Sequence, residues 1–251
     1  MSGTAVSLIS GIPRSVPERG RRGECLTLPG GGHSFGCVDR LPFYQRAFSL
    51  RQYNAAFAII AVNAFVFLLT NFTSPRLYTY LSLVPVLVVQ QNWWWQVFTY
   101  MFVHANMWHI LFNMLGLFFF GVQLEQRIGS SEFLLFYLVS GTVAGLISLG
   151  VFWVTGAYQV FLMGASGAVF AVLLAFATYY PHARILLFGI FPIRAPVLVV
   201  GYAAIEIFSM FGRVRGNVAH LTHLAGFLVA YLYIRIRLRI DPVRVFLDSR
   251  R

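Results

Sequence analysis

The chain has 251 residues, of which 58% are hydrophobic and only 11% charged, whereas a soluble globular domain carries about 25% charged residues. Its 19 basic residues are all arginine and its net charge is +11. These values exclude a soluble globular fold, and the crowding of arginine into the tails suits membrane orientation better than nucleic-acid binding.

Residues 1–52 are rich in Gly, Pro, Ser and Arg and read as a flexible, polar, cytosolic N-terminal tail. Cys25 and Cys37 are the two cysteines. With His33 between them they offer three ligands and no fourth, a poor zinc site. A disulfide framework is no better supported. No long apolar stretch marks a cleavable signal peptide, and Glu18, Glu24 and Asp39 interrupt the basic run that a transit peptide needs. A mis-called start codon would leave a tail of the same kind.

The first span is expected at 55–70. The stretch 81–103 is apolar but broken by Pro85 and by Gln90, Gln91 and Asn92. Trp93, Trp94 and Trp95 look like an interfacial anchor, so this stretch reads as a membrane-dipping loop with short helical pieces. Asn106 is a suitable N-cap for a second span over 107–126. At 1.5 Å per residue its roughly 20 residues give the ~30 Å needed to cross a bilayer. Further spans are expected at 132–155, at 166–180 before Pro181, at 196–211, and from a second cap at Asn217 to about 234. Residues 53–239 thus form an all-α core of six transmembrane helices, and 240–251 a basic cytosolic C-terminal tail.

Six spans put both tails on one side. That side carries sixteen arginines, among them Arg127, Arg184, Arg194 and Arg235, and the other carries Arg76, Arg213 and Arg215. This bias places both tails in the cytosol. Asn113 and His223 then lie about 10 Å along their helices from the outer end. The fourth span is short at ~22 Å, which sets Ser166 roughly 8 Å below the outer surface. Three polar residues on three helices reach one depth.

Ser166 stands in Gly164-Ala165-Ser166-Gly167. Gly164 and Gly167 lack Cβ bulk, so backbone N–H groups can approach a reacting oxygen. A serine at a helix N-terminus also sits where developing negative charge is favoured. The same Gly-x-Ser-Gly pattern serves equally as a close-packing motif. His223 is a candidate general base, able to take the serine proton and return it to a leaving group; the bland alternative is a packing histidine. No carboxylate lies near it in sequence. Glu206, an acid inside the fifth span, lies near its outer end and could equally face the interface. A Ser–His dyad is therefore expected, not a triad.

His104, His109 and Asn113 form a second cluster, with His109 and Asn113 four apart on one helical face. Asn113 and His104 can donate to the oxyanion of a tetrahedral intermediate. His109 could fix the preceding loop, and the whole cluster could instead be interhelical polar glue. His220 and His223 are three apart, but the His-Glu-x-x-His pattern is absent, so neither a metal nor another cofactor is expected. Gly226 and Ala230 permit close approach to another helix, which would bring His223 to Ser166. Phe170, one turn below Ser166, is placed to pack on His223 and limit its rotamers.

From about Ala55 to Arg239 the chain resembles the rhomboid intramembrane serine proteases. The resemblance is carried by His104-Ala-Asn-Met-Trp-His109-Ile-Leu-Phe-Asn113, by Gly-Ala-Ser166-Gly and by His220-Leu-Thr-His223-Leu-Ala-Gly226. Leu124-Glu125-Gln-Arg127-Ile-Gly129 also looks rhomboid-like. The resemblance implies a rhomboid-like bundle of six transmembrane helices in the lipid bilayer, with Ser166 as nucleophile and His223 as base. It implies an oxyanion hole made by His104, Asn113 and the Ser166 backbone N–H. Its implied partners are transmembrane protein substrates, with no nucleic acid and no metal; the expected place is a bacterial plasma membrane, with the site opening to the outer side on the arginine count. The fifth span and the loop over the site would gate entry, with Met210 and Phe211 at the mouth. The Trp-Arg pair common in the first loop of the family is missing, and Ala171 and Ala230 stand where many members have Gly. Two rival readings are an inactive relative that escorts membrane clients, against which both Ser166 and His223 stand, and a transporter, against which the lack of a repeat stands.

Overall fold

The computed structural model describes residues 50–73, 75–187, 190–211 and 217–250. The expectations for Cys25, His33 and Cys37, for Arg213 and Arg215, and for the side chains of Phe211 and Asn217 lie outside what is described. Helix α1 spans Ala55–Phe72. Then come three short helices, α2 (Pro75–Leu81), α3 (Pro85–Gln90) and α4 (Gln96–Thr99), and a 3-10 turn at Tyr100–Phe102. Helix α5 (Met107–Gly116) runs through a π-helical segment, Leu117–Gly121, into α6 (Val122–Ile128), so that Met107–Ile128 is one continuous apolar helix. It is followed by α7 (Ser130–Val154), α8 (Ser166–Tyr179), α9 (Ala195–Phe211), α10 (Asn217–Ile236) and α11 (Pro242–Asp248).

Helix boundaries fall within about two residues of the sequence expectation, because their chemistry is local. Asn106 caps α5 as its side chain implies, accepting from the His109 backbone N–H at 2.9 Å. Among the described residues, three helices are long and apolar enough to cross a membrane: Ala55–Phe72, Met107–Ile128 and Ser130–Val154. The 14 residues of α8 are apolar on every side and nearly all buried, as expected of a helix at the centre of a bundle. It packs against α7, α9 and α10.

The membrane-dipping stretch is ordered by its own polar groups. Gln96, fully buried, accepts from the Val84 N–H at 3.0 Å and donates to the Thr79 carbonyl at 2.9 Å. Thr99 donates to the Leu81 carbonyl at 2.8 Å. Short helices expose many orphan backbone groups, and these two side chains satisfy several of them.

The all-α expectation needs one correction. Between α8 and α9 an antiparallel hairpin pairs β1 (Arg184–Leu187) with β2 (Phe191–Arg194), with Arg184 opposite Arg194 and Leu187 opposite Phe191. The strands hold β-branched and aromatic residues on both sides of a glycine, a hairpin signal within a segment that hydropathy alone reads as a link between two spans. The expected C-terminal tail likewise contains α11, started by Asp241, which accepts from the Val243 and Arg244 N–H groups, with Pro242 at the first helical position; Pro is well suited there because its missing N–H costs nothing.

A buried carboxylate fixes the start of α1. Asn54 adopts a left-handed conformation and gives no side-chain cap. Instead Glu125, from α6, accepts from the Ala55 N–H at 2.7 Å and the Ala56 N–H at 2.8 Å, and also from the Ser130 hydroxyl. Negative charge at a helix N-terminus is favourable, and these N–H groups have no intrahelical partner. Glu125→Ala should therefore lower stability by about 2–4 kcal/mol, read by thermal unfolding in detergent. Glu125→Gln, which keeps one acceptor, should recover part of the loss. Equal stability of wild type and the alanine variant would show that the clamp does not hold α1.

Candidate active site

Ser166 is the first residue of α8. The turn before it is set by Gly164, whose φ of +115° is a conformation that side-chain-bearing residues rarely adopt. A Cβ at Gly164 would also lie 2.5 Å from Nε2 of His109. The Gly164 N–H donates to the Tyr100 carbonyl at 3.0 Å, which ties the turn to the end of the membrane-dipping stretch.

Helix α10 meets α8 at two glycines. A Cβ at Gly226 would fall 2.1 Å from the Gly167 carbonyl oxygen, so the two backbones are in direct contact. Ser148 of α7 and Thr222 of α10 share a hydrogen bond of 2.7 Å at the same level. This close crossing brings His223 to Ser166: Nε2 lies 2.7 Å from Oγ. Phe170 stacks on the imidazole with ring centroids 4.3 Å apart and planes 7° from parallel, which holds the ring plane. Tyr202 of α9 meets the edge of Phe170.

The second cluster is partly assembled. His104 is fully buried, and its Nε2 lies 3.5 Å from the Ala165 N–H, beside Ser166. Burial pushes the His104 pKa well below the usual imidazole range, with His109 adding to the shift, so the ring is neutral. A neutral imidazole has one N–H. In the resting contact Nε2 accepts, so donation to an oxyanion needs the proton on that nitrogen instead. His109 packs edge-on against His104 at 5.0 Å. Asn113 donates to the His109 carbonyl at 2.9 Å, which uses one of its two amide hydrogens. Met210, expected at the mouth, is 38% exposed near the end of α9.

No carboxylate lies near His223 in sequence, but the structure brings one to it from another helix. Glu206 does not face the interface. It is 5% exposed, and its Oε1 lies 2.9 Å from His223 Nδ1 while Oε2 is bonded to His220 Nδ1. Seventeen positions and two different helices separate Glu206 from His223, so no spacing rule links them. The legible signal was an acid inside an apolar helix, which has to find a partner. These three residues also bring three metal-ligating atoms within 4.8 Å of one another. The carboxylate already accepts hydrogen bonds from Nδ1 of both histidines.

Fold and site together define an integral membrane protein in which a serine on a buried helix is hydrogen-bonded to a histidine of the neighbouring helix. The Rhomboid domain matches residues 91–240, more than half of the chain and the whole of this site, and the chain belongs to the rhomboid family. It is 29% identical over 194 residues to Rhomboid protein 1, mitochondrial, of Saccharomyces cerevisiae, a match covering 74% of this chain and 54% of the yeast protein. With Rhomboid protease GlpG of Haemophilus influenzae it shares 30% identity over 159 residues, 63% of this chain and 79% of that protein. With Putative rhomboid protease YdcA of Bacillus subtilis it shares 28% over 146 residues, 57% and 68% of the two chains. The chain thus spans about half the length of the yeast relative.

Proposed function

We propose that this protein is an intramembrane serine endopeptidase that cleaves transmembrane segments of other membrane proteins. The observation that carries the reading is the 2.7 Å contact between Ser166 Oγ and His223 Nε2, inside a matched rhomboid domain. In this reading six helices, α1, Met107–Ile128, α7, α8, α9 and α10, cross the bilayer, with both tails cytosolic in a bacterial plasma membrane and the site open to the outer side. The arginine distribution supports that orientation.

The chemistry follows from the geometry. His223 Nε2 takes the hydroxyl proton as Oγ attacks the scissile carbonyl carbon. The new oxyanion is met by the Ser166 N–H, by Asn113 and by His104. As the C–N bond breaks, His223 hands the proton to the leaving amine; water, activated by the same imidazole, then releases the acyl group. No metal enters this sequence.

The test is reconstitution in lipid vesicles with a membrane-anchored reporter, alongside labelling by a fluorophosphonate. Cleavage of the reporter and labelling confined to Ser166 are expected. Labelling at another residue, or intact reporter after prolonged incubation, would overturn the reading. Asn113→Ala should slow kcat by about 10²–10³-fold, the effect of removing one oxyanion donor elsewhere. It should leave KM nearly unchanged, because that bond strengthens only in the transition state. A raised KM at constant kcat would make Asn113 a ground-state contact.

A further inference from the structure

Glu206 has no part in the two-residue mechanism, yet it is the third member of a continuous hydrogen-bonded chain. A carboxylate buried in an apolar helix is costly unless it is partnered. This one divides its two oxygens between two histidines of α10, Oε1 to His223 and Oε2 to His220. Each contact is through Nδ1. An ionised carboxylate only accepts hydrogen bonds, so each Nδ1 must carry the hydrogen.

For His223 that requirement decides the chemistry. With the hydrogen on Nδ1, the lone pair of the neutral ring is on Nε2, the atom that faces Ser166 Oγ. In the other tautomer Nε2 carries hydrogen and cannot take the serine proton. Stacking on Phe170 fixes the plane of the ring but is indifferent to rotation within that plane. The Glu206 contact supplies that missing constraint. His220, whose side chain is 30% exposed against 7% for that of Glu206, closes the outer flank of the carboxylate and holds its second oxygen.

We propose that Glu206 is a positioning residue: it sets the tautomer and in-plane orientation of His223 and stabilises the imidazolium formed when Ser166 gives up its proton, with His220 holding the carboxylate in place. This rests on the protease reading above and extends it from a pair to a Ser–His–Glu relay spread over α8, α10 and α9.

The test compares wild type, Glu206→Gln and Ser166→Ala in the reconstituted cleavage assay and in the rate of fluorophosphonate labelling. Glu206→Gln should lower both kcat and the labelling rate by at least about ten-fold, toward the ~10⁴-fold loss that follows when the orienting acid of a soluble triad becomes an amide. KM should stay within about two-fold of wild type, a split that a merely structural role does not produce. The second measurement needs no variant that alters the acid. In the ring-¹⁵N NMR spectrum of the wild-type protein, His223 should be protonated at Nδ1, its signals assigned by their loss in His223→Asn. An Nε2-protonated resting His223 would overturn the proposal, as would a Glu206→Gln enzyme with wild-type kcat. Cleavage abolished by EDTA would also overturn it and assign the three residues to a metal ion. Failure of the protease reading looks different: wild type itself would neither cleave nor label.

Discussion

Ser166→Ala and His223→Ala should each reduce cleavage of the membrane-anchored reporter to background, a loss on the order of 10⁶-fold in kcat where groups act as a unit. The two side chains share one hydrogen bond, and neither can do its part alone. Without His223 the hydroxyl is a poor nucleophile, and without Ser166 the imidazole has nothing to activate. The double variant should therefore be no slower than either single one. Additive losses would mean that the two residues act in separate steps. Both substitutions remove atoms from a part-buried site without touching the Gly167–Gly226 crossing, so thermal unfolding should shift little. A Ser166→Ala protein that still cleaves would refute the nucleophile assignment outright.

Gly226→Ala should be the most damaging single-methyl addition at a helix crossing among the described residues. Its Cβ would sit 2.1 Å from a backbone oxygen and 2.9 Å from the carbonyl carbon of Gly167. Those atoms belong to α8 itself and have no rotamer by which to escape, so α8 and α10 must move apart. Overpacking of this kind costs about 1–3 kcal/mol or more. The effect on activity should exceed the effect on stability, because the same separation lengthens the 2.7 Å Ser166–His223 contact; a misplacement of about 1 Å can cost 10²-fold in rate. Gly150→Ala in α7 is the matched control. Beyond the local helix backbone, no atom lies within 4 Å of its added Cβ, and alanine favours a helix over glycine by up to about 1 kcal/mol. It should be neutral or stabilising and fully active. Wild-type melting and cleavage in Gly226→Ala would show that the crossing is looser than the geometry implies.

Much of the architecture was readable from single residues because its causes are local. Asn106 caps α5 through a bond to an N–H three positions on, and Ser166 opens α8 after a glycine turn. Runs of apolar side chains set the helix lengths, since a bilayer-spanning helix must satisfy its own backbone. The stacking of Phe170 on His223 was legible in part, because one helical turn separates Phe170 from Ser166.

Other features were settled only when distant segments met. Glu125 caps a helix seventy positions earlier in the chain. The hairpin at β1 and β2 depends on a pairing register that the length of an apolar run does not encode. The sequence left Glu206 free to face either the site or the interface, because an isolated helix shows no preference for the face it turns inward. The sequence by itself determined the class of protein, the boundaries of the long apolar helices and the identity of the polar residues that lipid would not tolerate alone. The tertiary structure decided which of those residues are partners: hydrogen bonds act over about 3 Å, and only the direct contact of α8 with α10, and of α9 with both, brings Ser166, His223 and Glu206 within that reach.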